Sequence, residues 1–169
     1  MNWLRSLNRI ADLIYMITKQ LIVVAMGAIV LLVGWQVFTR YVLNDTAVWA
    51  TEAATLLMIW MLYLGCSLAL RDGDLISLSL VTDRLPPRTR AIVKLLETVG
   101  LVAFFTAMII INVEILQLSS TTPMPVLRIP KFWVYFSLTT GFSIMVYYLL
   151  LQLAEEIGNL GKLVSKGGN

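Results

Sequence analysis

Apolar positions along the chain gather into four stretches that hold no charged residue, at 20–39, 53–70, 98–113 and 132–154. A helix rises about 1.5 Å per residue, so roughly 20 apolar residues cross a hydrocarbon core of about 30 Å. The pattern therefore predicts an all-α integral membrane protein with four transmembrane helices, near 20–41, 48–70, 94–116 and 132–154. The third stretch is the shortest. It must recruit its flanks or place Glu97 and Glu114 near the two membrane surfaces.

The segments between the spans have patterns of their own. In the head, residues 1–18, Trp3, Leu7, Ile10, Ile14 and Ile17 recur at spacings of four and three, and Arg5, Asn8, Arg9 and Asp12, with Lys19 just beyond, fill much of the other side. One apolar side and one cationic side favour an amphipathic helix at the membrane surface over a plain extension of the first span. Trp3, Arg5, Leu7, Arg9 and Ile10 are its candidate lipid anchors, the arginines facing anionic headgroups. Residues 75–85 mix Leu75, Ile76, Leu78, Leu80 and Val81 with Ser77, Ser79, Thr82, Asp83 and Arg84, which predicts a second, short surface helix. Pro86-Pro87 ends it. The segment before the fourth span carries Pro123, Pro125 and Pro130, and Trp133, Tyr135 and Phe136 then form an interfacial aromatic belt.

Charge orients this body. The head, the middle loop and the tail carry 10 lysines and arginines, while the other two loops carry 3. The positive-inside rule then places both termini and the middle loop in the cytoplasm. At 169 residues, 59% hydrophobic and 14% charged, the chain is too apolar for a soluble domain. It reads as one four-helix membrane domain over 1–169, with 155–169 as a cytoplasmic tail. The head lacks a short apolar core with a small-residue cleavage site, so no cleavable signal peptide is expected. The net charge of +3 forms no basic patch with interleaved aromatics, which argues against a nucleic-acid partner.

The chemistry is limited by what is missing. There is no histidine, so haem held by paired histidines and histidine proton relays are excluded. Cys66 is the single cysteine, a packing residue rather than a thiolate ligand. No glycine-rich phosphate loop is present. No catalytic, cofactor or metal site is expected, and the chain reads as a non-enzyme. Charge inside a membrane is the usual mark of a transport pathway, and none lies in the middle of any span. Arg40 and Glu52 flank one short turn, and two readings are open: a pair across the turn, or two solvated charges. Gly27 and Gly34, Gly65 and Ala69, and Gly100, Ala103 and Ala107 mark faces where helices can approach closely.

A resemblance runs through the chain from about Arg9 to Leu153. Its pieces, in order, are Arg40-Tyr41-Val42-Leu43-Asn44, Trp49 with Glu52, and Trp60 with Leu64-Gly65 and Ala69-Leu70-Arg71. Asp83-Arg84-Leu85-Pro86, then Leu127, Ile129-Pro130, Trp133-Val134-Tyr135 and Gly141 complete it. The sequence resembles the small, Q-type (DctQ-like) membrane subunit of tripartite ATP-independent periplasmic (TRAP) transporters. It departs from the family in having Glu52-Ala53 where two acids often stand. It also has Asp74 in a region where a histidine is common.

The resemblance implies a bacterial inner-membrane scaffold subunit of a sodium-coupled, binding-protein-dependent importer of organic acids. Its partners would be a large multi-span subunit, which would hold the substrate and sodium, a periplasmic substrate-binding protein, and membrane lipids. Arg40, Trp49, Glu52, Trp133 and Tyr135 become candidate contacts with those proteins. Two other readings are a haem-free membrane anchor of a respiratory complex and a small self-contained exporter. The exporter is disfavoured by the missing mid-span carboxylate.

Overall fold

The computed structural model describes residues 2–73 and 87–166; the side chains of 2–6, 87, 88, 91, 155, 157 and 159–166 are outside that description. Among the described residues the elements are four helices, α1 (Asn2–Val42), α2 (Val48–Asp72), α3 (Pro87–Ser119) and α4 (Phe132–Lys166). Each contains a stretch long and apolar enough to cross a membrane: Leu7–Val42, Val48–Asp72, Ile92–Ser119 and Phe132–Ala154. A backbone in lipid must satisfy its own hydrogen bonds, and a helix does so within one segment. The expected short surface helix at 75–85 lies outside the described residues.

Two boundaries differ from the sequence reading. The head is not a separate element, because α1 runs unbroken from Asn2 through the first span. No glycine or proline interrupts residues 2–26, so nothing in the sequence stops the helix. The tail likewise continues α4 as far as Lys166. The short third stretch recruits both flanks, so that Glu97 and Glu114 fall within α3.

The helix ends follow local chemistry. Proline stands first in α3, where its missing N–H costs nothing. Gly73 closes α2 in the left-handed conformation, φ 83°, its N–H pointing to the carbonyls of Ala69 and Leu70. At the other end of α2, Asn44 (φ 51°) turns the chain. The N–H groups of Leu43 and Asp45 both return to the carbonyl of Thr39, at 3.1 and 3.2 Å.

The packing order differs from the chain order. α1 packs on α2, α2 on α4, and α4 on α3, which leaves α1 and α3 on the flanks. Leu70, Met145 and Leu149 form the buried centre, with Cys66, Leu101, Val102, Phe105 and Phe142 against it. Cys66 is thus a packing residue of this cluster. Of the described glycines, Gly141 alone has another helix against it, and a Cβ there would lie 2.7 Å from the Cβ of Tyr63. Gly27, Gly34, Gly65 and Gly100, by contrast, have open space where a Cβ would stand.

Candidate functional site

The two ends of the helix row carry different polar constructions. One end holds the α1–α2 turn and the α3–α4 connection. The other holds the N-terminal part of α1 and the C-terminal ends of α2 and α4.

At the first end, the α3–α4 connection folds back on itself. The N–H of Met124 donates to the carbonyl of Ile129 at 2.8 Å, and that of Lys131 to Thr122 at 2.9 Å. Pro123 and Pro130 form an isolated antiparallel bridge between these bonds. Arg128 makes the reversal with a left-handed backbone, φ 54°. Three prolines leave this hairpin few donors of its own. Two N–H groups at its tip turn to Glu52 on α2. That of Val126 lies 3.2 and 3.1 Å from the two carboxylate oxygens, and that of Leu127 lies 2.7 Å from Oε2. A carboxylate accepting backbone N–H groups makes a strong, directional tie. Glu52 therefore fixes the hairpin over the start of α2.

Of the two readings open for Arg40 and Glu52, a pair across the turn is not seen among the described residues. Glu52 is occupied by the hairpin, and Arg40 lies exposed at the end of α1, 5.9 Å from the centre of the Tyr41 ring. Trp49 and Trp133 are both close to half exposed. Trp133 sits edge-on to Phe132 and Phe136 in an aromatic group whose Phe136 also meets Trp60, at 6.0 Å. Tyr135 is half-buried, and its carbonyl accepts a hydrogen bond from Asn112 of α3 at 2.9 Å. Glu52, Trp133 and Tyr135 thus belong to the α2–hairpin–α4 corner, while Arg40 stands apart on the α1 side.

Asn112 also donates to Thr139 Oγ1 at 2.7 Å. It is a buried amide deep in α3, with both donors used across the α3–α4 contact. This interhelical tie has a faint mark in the sequence, a lone asparagine in an otherwise apolar run.

At the opposite end, Arg71 gathers three helices. Its guanidinium donates to the carbonyl of Ala11 at 2.7 Å and pairs with the carboxylate of Asp12. It lies 4.8 Å from the ring centre of Tyr15 and 5.3 Å from that of Tyr148. The Tyr15 hydroxyl donates to Asp72 at 3.0 Å, and the Tyr147 hydroxyl to the carbonyl of Leu7 at 3.1 Å. Of the candidate lipid anchors, Leu7 is half-buried under Tyr147, while Arg9 and Ile10 are exposed. The side chains of Trp3 and Arg5 lie outside the described residues. Sequence reasoning did not single out Arg71 as a joint, because its partners lie about 60 and 77 positions away on other helices.

Among the described residues, no cluster of three or more acidic, cysteine or histidine side chains stands ready for a metal ion. The polar groups of Glu52, Asn112 and Arg71 hold helices and a hairpin together.

Comparison with known proteins identifies the family. Residues 29–159 match the family model described as tripartite ATP-independent periplasmic transporters, DctQ component. The sialic acid TRAP transporter small permease protein SiaQ of Vibrio cholerae is 28% identical over 94% of this chain and 90% of its own length. The C4-dicarboxylate TRAP transporter small permease protein DctQ of the same species is 24% identical over 97% of this chain and 80% of its own. The isethionate TRAP transporter permease protein DctMQ of Oleidesulfovibrio alaskensis is 27% identical over 82% of this chain, but over only 23% of its own length. With four membrane-crossing helices and a family match over most of its length, the chain is a multi-pass inner-membrane protein and belongs to the DctQ-component family of TRAP transporters.

Proposed function

We propose that this chain is the accessory scaffold subunit of a sodium-coupled, binding-protein-dependent secondary transporter that imports an organic acid. The observation that carries the proposal is the match to the DctMQ permease, in which the similar segment occupies 23% of one longer chain. A module found fused within a longer permease is expected to work beside such a permease when it stands alone. The large subunit holds substrate and sodium, and this chain steadies its fixed part. The relatives' names specify sialic acid, isethionate and C4-dicarboxylate, which share a small organic anion as cargo. An organic acid is the corresponding class here.

The empty middles of the spans support a scaffold. No charge or histidine lines a path through 20–39, 53–70, 98–113 or 132–154. The most apolar stretch of α1 buries no residue within the chain, so its surface is left for lipid and for the large subunit. In the orientation given by the positive-inside rule, both termini lie in the cytoplasm and the N-terminal part of α1 meets the inner headgroups. The hairpin tied by Glu52 then faces the periplasm with Trp49 and Trp133 beside it, a stiff surface for the binding protein.

The test is reconstitution. The chain is expressed with the large permease subunit and binding protein encoded beside it, and sodium-driven uptake is measured in liposomes. Co-purification with the large subunit and loss of uptake without this chain are expected. Uptake by this chain alone, or by the large subunit without it, would overturn the proposal.

A further inference from the structure

An open cleft of about 530 Å³ lies between α1 and α2 at the end that carries Arg71. Asp12, Tyr15, Met16, Lys19, Arg71 and Asp72 line it. Its volume falls within the range of small-molecule sites, about 300–1,000 Å³. Two acids and two cations meet there, and their roles differ. Arg71 and Asp12 pair with each other, and the guanidinium is held further by the Ala11 carbonyl and by two tyrosine rings. That leaves Lys19 and Asp72 outside this pair.

Lys19 is exposed and makes no hydrogen bond or ion pair among the described residues. Asp72 is exposed and accepts the Tyr15 hydroxyl through Oδ2 alone. The two differ in depth. Asp72 ends α2 at the level of Tyr15, whereas Lys19 stands four residues further along α1, about 6 Å deeper into the membrane at 1.5 Å per residue. Met16, 70% exposed, supplies an apolar side between them.

We propose that this cleft binds the headgroup of a phosphoethanolamine lipid, with the phosphate at Lys19 and the ammonium at Asp72. In such a lipid the phosphate lies nearer the hydrocarbon and the ammonium nearer water, which is the order of the two protein charges. The match holds for whichever leaflet this end of the bundle faces. A phosphoglycerol lipid satisfies Lys19 but gives Asp72 no cation. A phosphocholine lipid has a cation without N–H donors, so it makes no hydrogen bond to the Asp72 carboxylate. The primary ammonium meets both demands.

The experiment is lipid exchange followed by native mass spectrometry on the full chain, extracted with whatever subunits accompany it. The delipidated protein is incubated with equal amounts of phosphatidylethanolamine, phosphatidylglycerol and phosphatidylcholine vesicles. Phosphatidylethanolamine is expected to be retained several-fold above the other two. Lys19→Ala should lower retention of phosphatidylethanolamine and phosphatidylglycerol alike, and Asp72→Asn should bring phosphatidylethanolamine down to the level of phosphatidylglycerol. Lys19→Arg should keep the wild-type ranking. Equal retention of the three lipids by the wild type, a preference for phosphatidylglycerol, or a ranking unmoved by both charge-removing variants would overturn the proposal. If a variant fails to fold, the wild-type ranking decides alone.

Discussion

Glu52 accepts the backbone N–H of Leu127 at 2.7 Å across 75 positions of sequence. One carboxylate near the start of α2 thereby holds the tip of the α3–α4 hairpin, with the Val126 N–H on the same side chain. The hairpin has few ladder bonds of its own, so this tie adds to the two backbone bonds that close it.

The first prediction removes the tie. Hydrogen bonds to a charged group contribute about 1.5–3 kcal/mol, and every 1.4 kcal/mol is tenfold in an opening equilibrium. Glu52→Ala should raise amide exchange at Val126 and Leu127 by roughly 10- to 100-fold, with the helices unaffected. Glu52→Gln should fall between, since its amide keeps one oxygen and turns an N–H toward another donor. Hydrogen exchange read by mass spectrometry over 120–131 measures this. Unchanged protection in Glu52→Ala would show that the prolines alone hold the loop.

The second prediction separates stacking from charge at Arg71. The side chain gains from two tyrosine rings, a carbonyl bond and an ion pair whose Asp12 partner is 68% exposed. An exposed pair contributes below about 1 kcal/mol, whereas two ring contacts and a carbonyl bond together contribute about 2–3 kcal/mol. Arg71→Ala should therefore lower stability well beyond Asp12→Ala. Arg71→Lys should recover only part, because an ammonium lacks the planar fork and stacks poorly. Thermal unfolding in detergent at two salt concentrations ranks the three. Equal losses for Arg71→Ala and Asp12→Ala would mean that the charge pair dominates.

These two joints explain what the sequence could and could not reveal. The start of α4 at Phe132 and the stop of α2 at Asp72-Gly73 were legible, because apolar runs and polar stops are local signals. The unbroken α1 was legible only in part: a plain extension of the first span was the less favoured of two readings, although no glycine or proline marks a join. For Glu52 the sequence offered Arg40 as one possible partner and a solvated charge as the other, and neither reading included the hairpin. The nearest opposite charge to Glu52 in sequence was Arg40, but a backbone N–H carries no side-chain signature and Val126 lies 74 positions away. Arg71 was read as a topology charge, and only the meeting of α1, α2 and α4 makes it a joint.

The third prediction concerns Asn112. Its amide donates to the Tyr135 carbonyl and to Thr139 Oγ1, but that carbonyl also accepts from Thr139 at 3.3 Å. Losing the amide therefore does not orphan the carbonyl. Interhelical side-chain bonds in membranes average about 0.6 kcal/mol, with a maximum near 1.7. Asn112→Ala should cost about 1 kcal/mol, and Thr139→Val in the same background should add little. A double-mutant cycle on thermal or denaturant unfolding checks both. Fully additive losses would show that the two side chains act independently.

The fourth prediction turns on where helices touch. A Cβ at position 141 would stand 2.7 Å from the Cβ of Tyr63, 3.0 Å from its carbonyl oxygen and 3.1 Å from its carbonyl carbon. The first and nearest obstacle is a Cβ fixed to the backbone, and the others are backbone, so no rotamer change relieves the clash. Gly141→Ala must push α2 and α4 apart, at the contact that joins the α1 side of the row to the α3 side. Overpacking of this kind costs about 1–3 kcal/mol. Gly27→Ala and Gly34→Ala meet nothing within 4 Å and should leave the midpoint unchanged or slightly raised, since alanine favours helix by up to about 1 kcal/mol over glycine. Unfolding of the purified chain measures all three in one series. A loss at positions 27 or 34 matching that at 141 would contradict the packing order, whereas a loss confined to 141 places a close α2–α4 contact at Tyr63 and Gly141.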